Sequence, residues 1–158
     1  MINVLFVCLG NICRSPLAEG VFQKLAEEEG LASEISVDSC GTSNYHIGEL
    51  AHESSRKVAK INGINLTHRA RQISSEDFGD FDYILAMDSS NIRNMSLLEG
   101  FDKHQDKVSL LRAFDNGQSE KAVDDPYGGD FGDFEECYRI VEESSRNLLE
   151  HIRREHQL

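Results

Sequence analysis

Five residues, Leu9-Gly10-Asn11-Ile12-Cys13, separate Cys8 from Arg14, and Ser15-Pro16 follow directly. A cysteine thiolate is a strong nucleophile. A guanidinium offers a planar fork that holds two oxygens of a phosphoryl group at once, and a hydroxyl such as that of Ser15 can donate to sulfur. These types must be held together to act, and the flanking pattern does this. Val4-Leu5-Phe6-Val7-Cys8 is an apolar run of strand length, whereas Leu17, Ala18, Val21, Phe22, Leu25 and Ala26 recur at helical spacing. Strand, tight loop and helix are predicted, with Ser15 as N-cap, Pro16 at the first helical position and Gly30 as the stop. A loop of this kind aims unpaired N–H groups at one point and adds the positive end of a helix dipole. An oxyanion would bind there, and the Cys8 thiolate would be stabilised in the same field. Gly10 lets the backbone turn sharply beside a ligand, and Asn11 tolerates the positive φ of a strained turn.

A thiolate displacing an alkoxide or phenoxide from phosphorus needs an acid to protonate the leaving oxygen. Asp124-Asp125-Pro126-Tyr127 offers one, with Pro126 holding Asp125 extended. Taken alone, this stretch reads first as a solvated turn. His68 alone reads as a surface or satisfied core histidine. Tyr45 fits an exposed loop aromatic as well as the wall of a site, and an apolar Ile12 at the rim suits a flat phenyl ring. Cys13 lies close enough to Cys8 around a curled loop for a disulfide to be sterically conceivable.

The rest of the chain narrows the choice. Its 158 residues suit one domain, 1–158, with a full core. A net charge of −12, from 28 acidic and 16 basic residues, argues against nucleic acid or an anionic membrane as partner, so phosphate affinity must be local. No apolar stretch approaches the ~20 residues of a membrane span, and Met1 leads straight into the first strand. A cytoplasmic location is expected, in keeping with four cysteines that lack a secreted-framework spacing. Neither a zinc-finger spacing nor a nucleotide-binding glycine motif is present, so no metal or cofactor is expected. Further strands are predicted at 35–40, 81–87 and 107–111, helices at 52–62, 89–98 and 133–154, and loops at 41–48 and 115–132. The last helix should bury Phe134, Tyr138, Val141, Leu148 and Ile152. Strands alternating with helices imply an α/β doubly wound parallel sheet flanked by helices.

Cys8 to Ser15 resembles the Cys, five residues, Arg, Ser/Thr signature of protein tyrosine phosphatases, and Cys8 to Pro16 is similar to its form in the low-molecular-weight family. Similar pieces recur at Asp38-Ser39 with Gly41-Thr42, at 68–72, at 81–88 and at 124–127. The resemblance implies a four-stranded sheet in order 2-1-3-4, with the phosphate-binding loop after strand 1, at the switch point where such sheets bind ligands. It implies metal-independent hydrolysis of phosphotyrosine monoesters through a cysteinyl phosphate. Cys8 would be the nucleophile, Arg14 the phosphate ligand within a loop running from Leu9 to Ser15, and Asp125 the general acid, with Asp124 the alternative. Ser39 and His68 would support Asn11, Tyr45 and Tyr127 would form the rim, and Cys13 would close reversibly on Cys8 under oxidation. Gly128 stands where the family often has a second tyrosine. The implied partners are phosphotyrosine proteins or small aryl phosphates, and a monomer is favoured. Protein arginine phosphatases of this fold carry threonine in place of Ile12, which favours tyrosine. Arsenate reductases need resolving cysteines on a mobile segment, and residues 76–112 contain none. A non-catalytic oxyanion-binding or redox-sensing module would not need Asp125.

Overall fold

The structure, a computed structural model, describes residues 1–118 and 120–158. Four parallel strands, β1 (Ile2–Cys8), β2 (Ile35–Gly41), β3 (Tyr83–Ala86) and β4 (Val108–Leu110), form one sheet in the order β2-β1-β3-β4, as expected. The central strand β1 is apolar on both faces because both are covered. Val4, Phe6 and Cys8 pack with the helices α1 (Arg14–Glu28), α2 (Glu53–Ile61) and α6 (Phe131–His156), while Leu5 and Val7 face a second core with Phe78, Met95 and Phe101. That second layer comes from three short helices, α3 (Asp77–Asp80), α4 (Ser89–Met95) and α5 (Phe101–His104).

The differences from expectation are the two four-residue helices α3 and α5, which the sequence pattern does not predict, and shifts at element ends. Strand β3 is shorter than 81–87 because Phe81 closes α3, and β4 is shorter than 107–111 because 3₁₀ turns at Gln105–Lys107 and Leu111–Phe114 consume its ends. Helix α4 stops at Met95 in place of 98. Helix α6 begins two residues before 133, where Asp130 and Asp133 form a reciprocal capping box, and all five residues expected on its buried stripe are buried.

The register pairs Cys8 with Gly41, so the loop leaving β1 rises beside the end of β2. A Cβ on Gly41 would come within 2.7 Å of the Leu9 carbonyl oxygen and 3.1 Å of the Asn11 nitrogen. Only glycine lets the two backbones approach this closely. No helix is long and apolar enough to cross a membrane among the described residues.

Candidate active site

Cys8, Asn11, Ile12, Cys13, Arg14 and Ser15 are all buried. The Cys8 Sγ lies 3.0 Å from Ser15 Oγ and accepts the Asn11 N–H at 3.3 Å. Asn11 takes the strained turn with φ of 57°. Gly10 has no such φ: the sharp bend falls on Asn11, and what Gly10 provides is room, since a Cβ there would sit 3.1 Å from the His46 ring. Nor is Ser15 the helix cap. Helix α1 starts at Arg14 behind Cys13, without a side-chain cap, because the Ser15 hydroxyl is drawn into the loop. The first-turn N–H groups are thus left without a side-chain cap, which suits an anion.

Arg14 is held from one side. Its Nη1 donates to Asp88 Oδ2 at 2.7 Å and to the Val123 carbonyl at 2.9 Å, while Nη2 stands 3.6 Å from Asp125 Oδ2. Burial opposes the charge, yet Cys8, Asp88 and Asp125 raise the guanidinium above its ordinary value. For Asp88 burial pushes upward, but hydrogen bonds from Ser90, Arg14 and the Asn91 amide outweigh it and hold the carboxyl below the usual range. Asp125 accepts the Tyr127 N–H at 3.1 Å and is 42% exposed, within reach of solvent protons. Asp124, also exposed, forms no ion pair with Arg14 among the described residues. A cavity of about 410 Å³ opens over Cys8, Arg14 and Asp125, walled by Ile12, Tyr45, His46 and Tyr127. A larger one, about 570 Å³, lies between the carboxyl ends of α1 and α6 and includes none of these groups.

Residues 3–158 match the family described as "Low molecular weight phosphotyrosine protein phosphatase". A relative of that name from Schizosaccharomyces pombe is 45% identical over 152 residues, covering 96% of this chain and 97% of the relative. The human relative of the same name is 44% identical over 149 residues, covering 94% of each. The chain belongs to the low molecular weight phosphotyrosine protein phosphatase family. The crystal structure of YfkJ from Bacillus subtilis superposes with a TM-score of 0.92 at 41% identity, covering 98% of this chain and 96% of that one.

Behind this phosphatase loop a polar network fixes Asn11, and its directions follow from one unambiguous donor. The Arg71 N–H donates to Asn11 Oδ1 at 3.0 Å, so that oxygen is an acceptor and His68 Nε2, 2.8 Å away, must carry the proton it donates. Asn11 Nδ2 then donates to Ser15 Oγ at 2.7 Å and Ser39 Oγ at 3.0 Å. With its oxygen accepting from Asn11, the single Ser15 proton has two acceptors within reach, the Cys8 sulfur at 3.0 Å and the Cys40 carbonyl at 3.3 Å. Ser39 and His68 are thus both hydrogen-bonded to Asn11.

Glu19, Asp88, His46 and His52 were missed from sequence. Glu19 accepts from Ser39 at 2.6 Å and lies 3.2 Å from His68 Nδ1. Burial pushes its carboxyl up to about 7 and pushes His68 down, which favours Glu19 over His68 as the site of a proton shared by the pair. Glu19, Asp38 and His68 bring three metal-binding atoms within 4.8 Å of one another among the described residues. Ser39 on Glu19 and Arg71 on Asp38 already engage the two carboxylates, so the cluster is built for hydrogen bonding. His46 lines the cavity, and His52 caps α2 through Nδ1 while its ring meets Tyr127 and Phe134. Asp88 had one signal, its place just past the carboxyl end of the strand beside β1. Burial, with Asp125 and Cys8 adding, pushes the Cys13 thiol up to about 12.

Proposed function

We propose that the chain hydrolyses phosphotyrosine in proteins through a cysteinyl phosphate on Cys8. The observation that carries this reading is the convergence on one sulfur of the Ser15 hydroxyl and the Asn11 N–H, beside Arg14 and an Asp125 that faces the same guanidinium. The Cys8 thiolate attacks phosphorus, the phosphorus–oxygen bond to tyrosine breaks, and Asp125 gives its proton to the leaving phenoxide. Asp125 then takes a proton from water as that water attacks phosphorus and expels the thiolate. Arg14 and the loop amides balance the charge on the equatorial oxygens in both steps.

The wall of Ile12, Tyr45 and Tyr127 suits an aryl phosphate, and Ile12 favours phosphotyrosine over phosphoarginine. Every group needed comes from one chain, so residues 1–158 act as one domain and the monomer suffices. The four cysteines are free thiols, as a reducing, cytoplasmic setting requires. Turnover of p-nitrophenyl phosphate and of a phosphotyrosine peptide in EDTA, with a phosphoarginine peptide as competitor, tests the reading. Loss of turnover in EDTA, or preference for phosphoarginine, would overturn it.

Redox control belongs to the same proposal. Peroxide converts Cys8 to a sulfenic acid, and the Cys13 thiol displaces water from it to form a disulfide. Cys13→Ser should then lose recovery by thiols after mild peroxide. Recovery equal to that of the parent would leave Cys13 a packing residue only.

A further inference from the structure

The catalytic cavity adjoins a second groove of about 490 Å³, with Ile12, His46 and Tyr127 bordering both. Backbone pairing builds it. Gly48 N donates to the Ala70 carbonyl and Ala70 N to the Glu49 carbonyl, each at 2.8 Å, and Leu50 bridges Arg69. This pairing sets Arg69 beside the segment that carries Tyr45 and His46 to the mouth. Arg56, from α2, forms another wall.

Both guanidiniums are exposed and aimed: Arg69 Nη1 donates to the Gly48 carbonyl and Arg56 Nε to the Ala51 carbonyl, each at 2.9 Å. Neither forms an ion pair among the described residues, whereas Arg71, Arg112, Arg139, Arg146, Arg153 and Arg154 all do. Of the other described arginines only Arg93, on α4, is likewise without an ion pair, and in a chain with 28 acidic and 16 basic residues two unpaired guanidiniums share one groove beside the catalytic cavity. The groove also contains Glu49 and Glu53. Glu49 is paired with His46 at 3.0 Å, and Glu53 sits in the first turn of α2, where the helix dipole favours it. Apart from Arg69 Nη1 and Arg56 Nε on their carbonyls, the arginine donors are left for an incoming carboxylate.

We propose that this groove binds the carboxylate side chain of a residue flanking phosphotyrosine in the same substrate, with Arg56 and Arg69 as its ligands. The inference rests on the phosphotyrosine reading of the catalytic cavity. Two or three residues of extended chain span about 7–11 Å, and the two cavities are contiguous through Ile12, His46 and Tyr127. Arg71 takes no part, because Asp38 and Asp77 hold it on the far side of the Asn11 network.

The test is an aspartate scan. A phosphotyrosine peptide with neutral flanks is compared with peptides carrying one aspartate at each of three positions on either side, using the parent and an Arg56→Gln/Arg69→Gln double variant. At low salt, aspartate at one or more positions should raise kcat/KM by about three- to tenfold, the scale of two exposed pairs. Added salt should erode the gain, with a Debye length of about 10 Å at 0.1 M, and the double variant should abolish it. Neutral peptide and p-nitrophenyl phosphate should stay within about twofold, since neither residue touches Cys8 or Arg14. A flat or falling scan in the parent, a larger gain from apolar flanks, or a gain that survives in the double variant would overturn the proposal. Failure of the parent to hydrolyse the neutral phosphotyrosine peptide would reject the underlying function instead.

Discussion

The phosphate loop and the loop carrying Asp125 face each other across one cavity and are built in opposite ways. The first is fastened at carbonyls on both sides of its bend: Cys8 and Leu9 accept from Thr42 N and Ser43 N, Ile12 from His52 N at 2.7 Å, and Cys13 from Ser55 Oγ at 3.2 Å. The second, between Phe114 and α6, is anchored where Asp115 accepts from Arg112, Ser144 Oγ and Asn147 Nδ2, and again by Val123 N on the Met87 carbonyl, Arg14 on the Val123 carbonyl and Arg112 on the Ala122 carbonyl, all of them ahead of Asp124. Asp124, Asp125 and Tyr127 all remain exposed. Dipoles aimed at a transition state act best when they need no reorganisation, so the anion side is locked. The acid proposed at Asp125 would have to exchange protons with water and meet leaving groups of different shape, which the exposed stretch from Asp124 to Tyr127 permits.

The largest effect should come from the locked side. Cys8→Ser should fold and bind phosphate yet show no turnover, because the new hydroxyl has no base to activate it. Acid quench should trap phosphoenzyme in the parent alone, and appreciable turnover in Cys8→Ser would sink the mechanism. On the open side, Asp125→Asn should lower kcat by about 10² to 10⁴ for a poor leaving group, and by less for a good one. Asp124→Asn should do less in both cases. If the two variants exchange places, the acid is Asp124.

The locked side was also the more legible of the two. Strand, loop and helix from 4 to 26 announce themselves by local periodicity and spacing, and the positive φ fell where an asparagine stood ready for it. The Ser15 cap was a sound local rule overridden by the site, which uses the same hydroxyl against Cys8. Asp125, read alone, was a turn residue, and only the family resemblance singled it out. Four-residue helices such as α3 and α5 are too short to show a period. Glu19, Asp88 and Arg56 were invisible for a different reason: their roles come from contacts across the fold, as between Arg14 and Asp88, which no window of sequence contains.

Asp88→Asn sharpens the comparison by testing whether Arg14 is aimed by charge. Asparagine can still cap α4, so the helix should survive. Losing a charge-assisted hydrogen bond should weaken phosphate inhibition and kcat/KM by about ten- to a hundredfold. The parent carboxyl is held below its ordinary value, so its contribution to stability is complete above the unfolded value near about 3.9 and is lost as pH falls through the folded one. The Tm gap between parent and Asp88→Asn should therefore narrow in acid. A gap independent of pH would show that the cap, and not the charge, was what Asp88 supplied.

The smallest effect concerns the network behind the locked loop. Glu19 has a folded value of about 7, above its unfolded one near about 4.3. Between these values the folded chain binds more protons than the unfolded chain, so the Glu19 contribution is full in acid, declines as pH rises from about 4 to about 7 and is flat beyond. His68, pushed down, acts with the opposite sign below its ordinary value, so the parent curve alone does not isolate Glu19. The difference between parent and Glu19→Gln does. Glutamine can accept from Ser39 and donate to His68 Nδ1, which keeps His68 Nε2 donating to Asn11. The Tm of the parent minus that of Glu19→Gln should thus be highest near about pH 4 and fall toward about pH 7. Turnover of Glu19→Gln should stay close to that of the parent near pH 5, where Glu19 itself is neutral. A Tm difference that rises with pH would place the shared proton on His68, making the support for the phosphate loop an ion pair in place of a neutral relay.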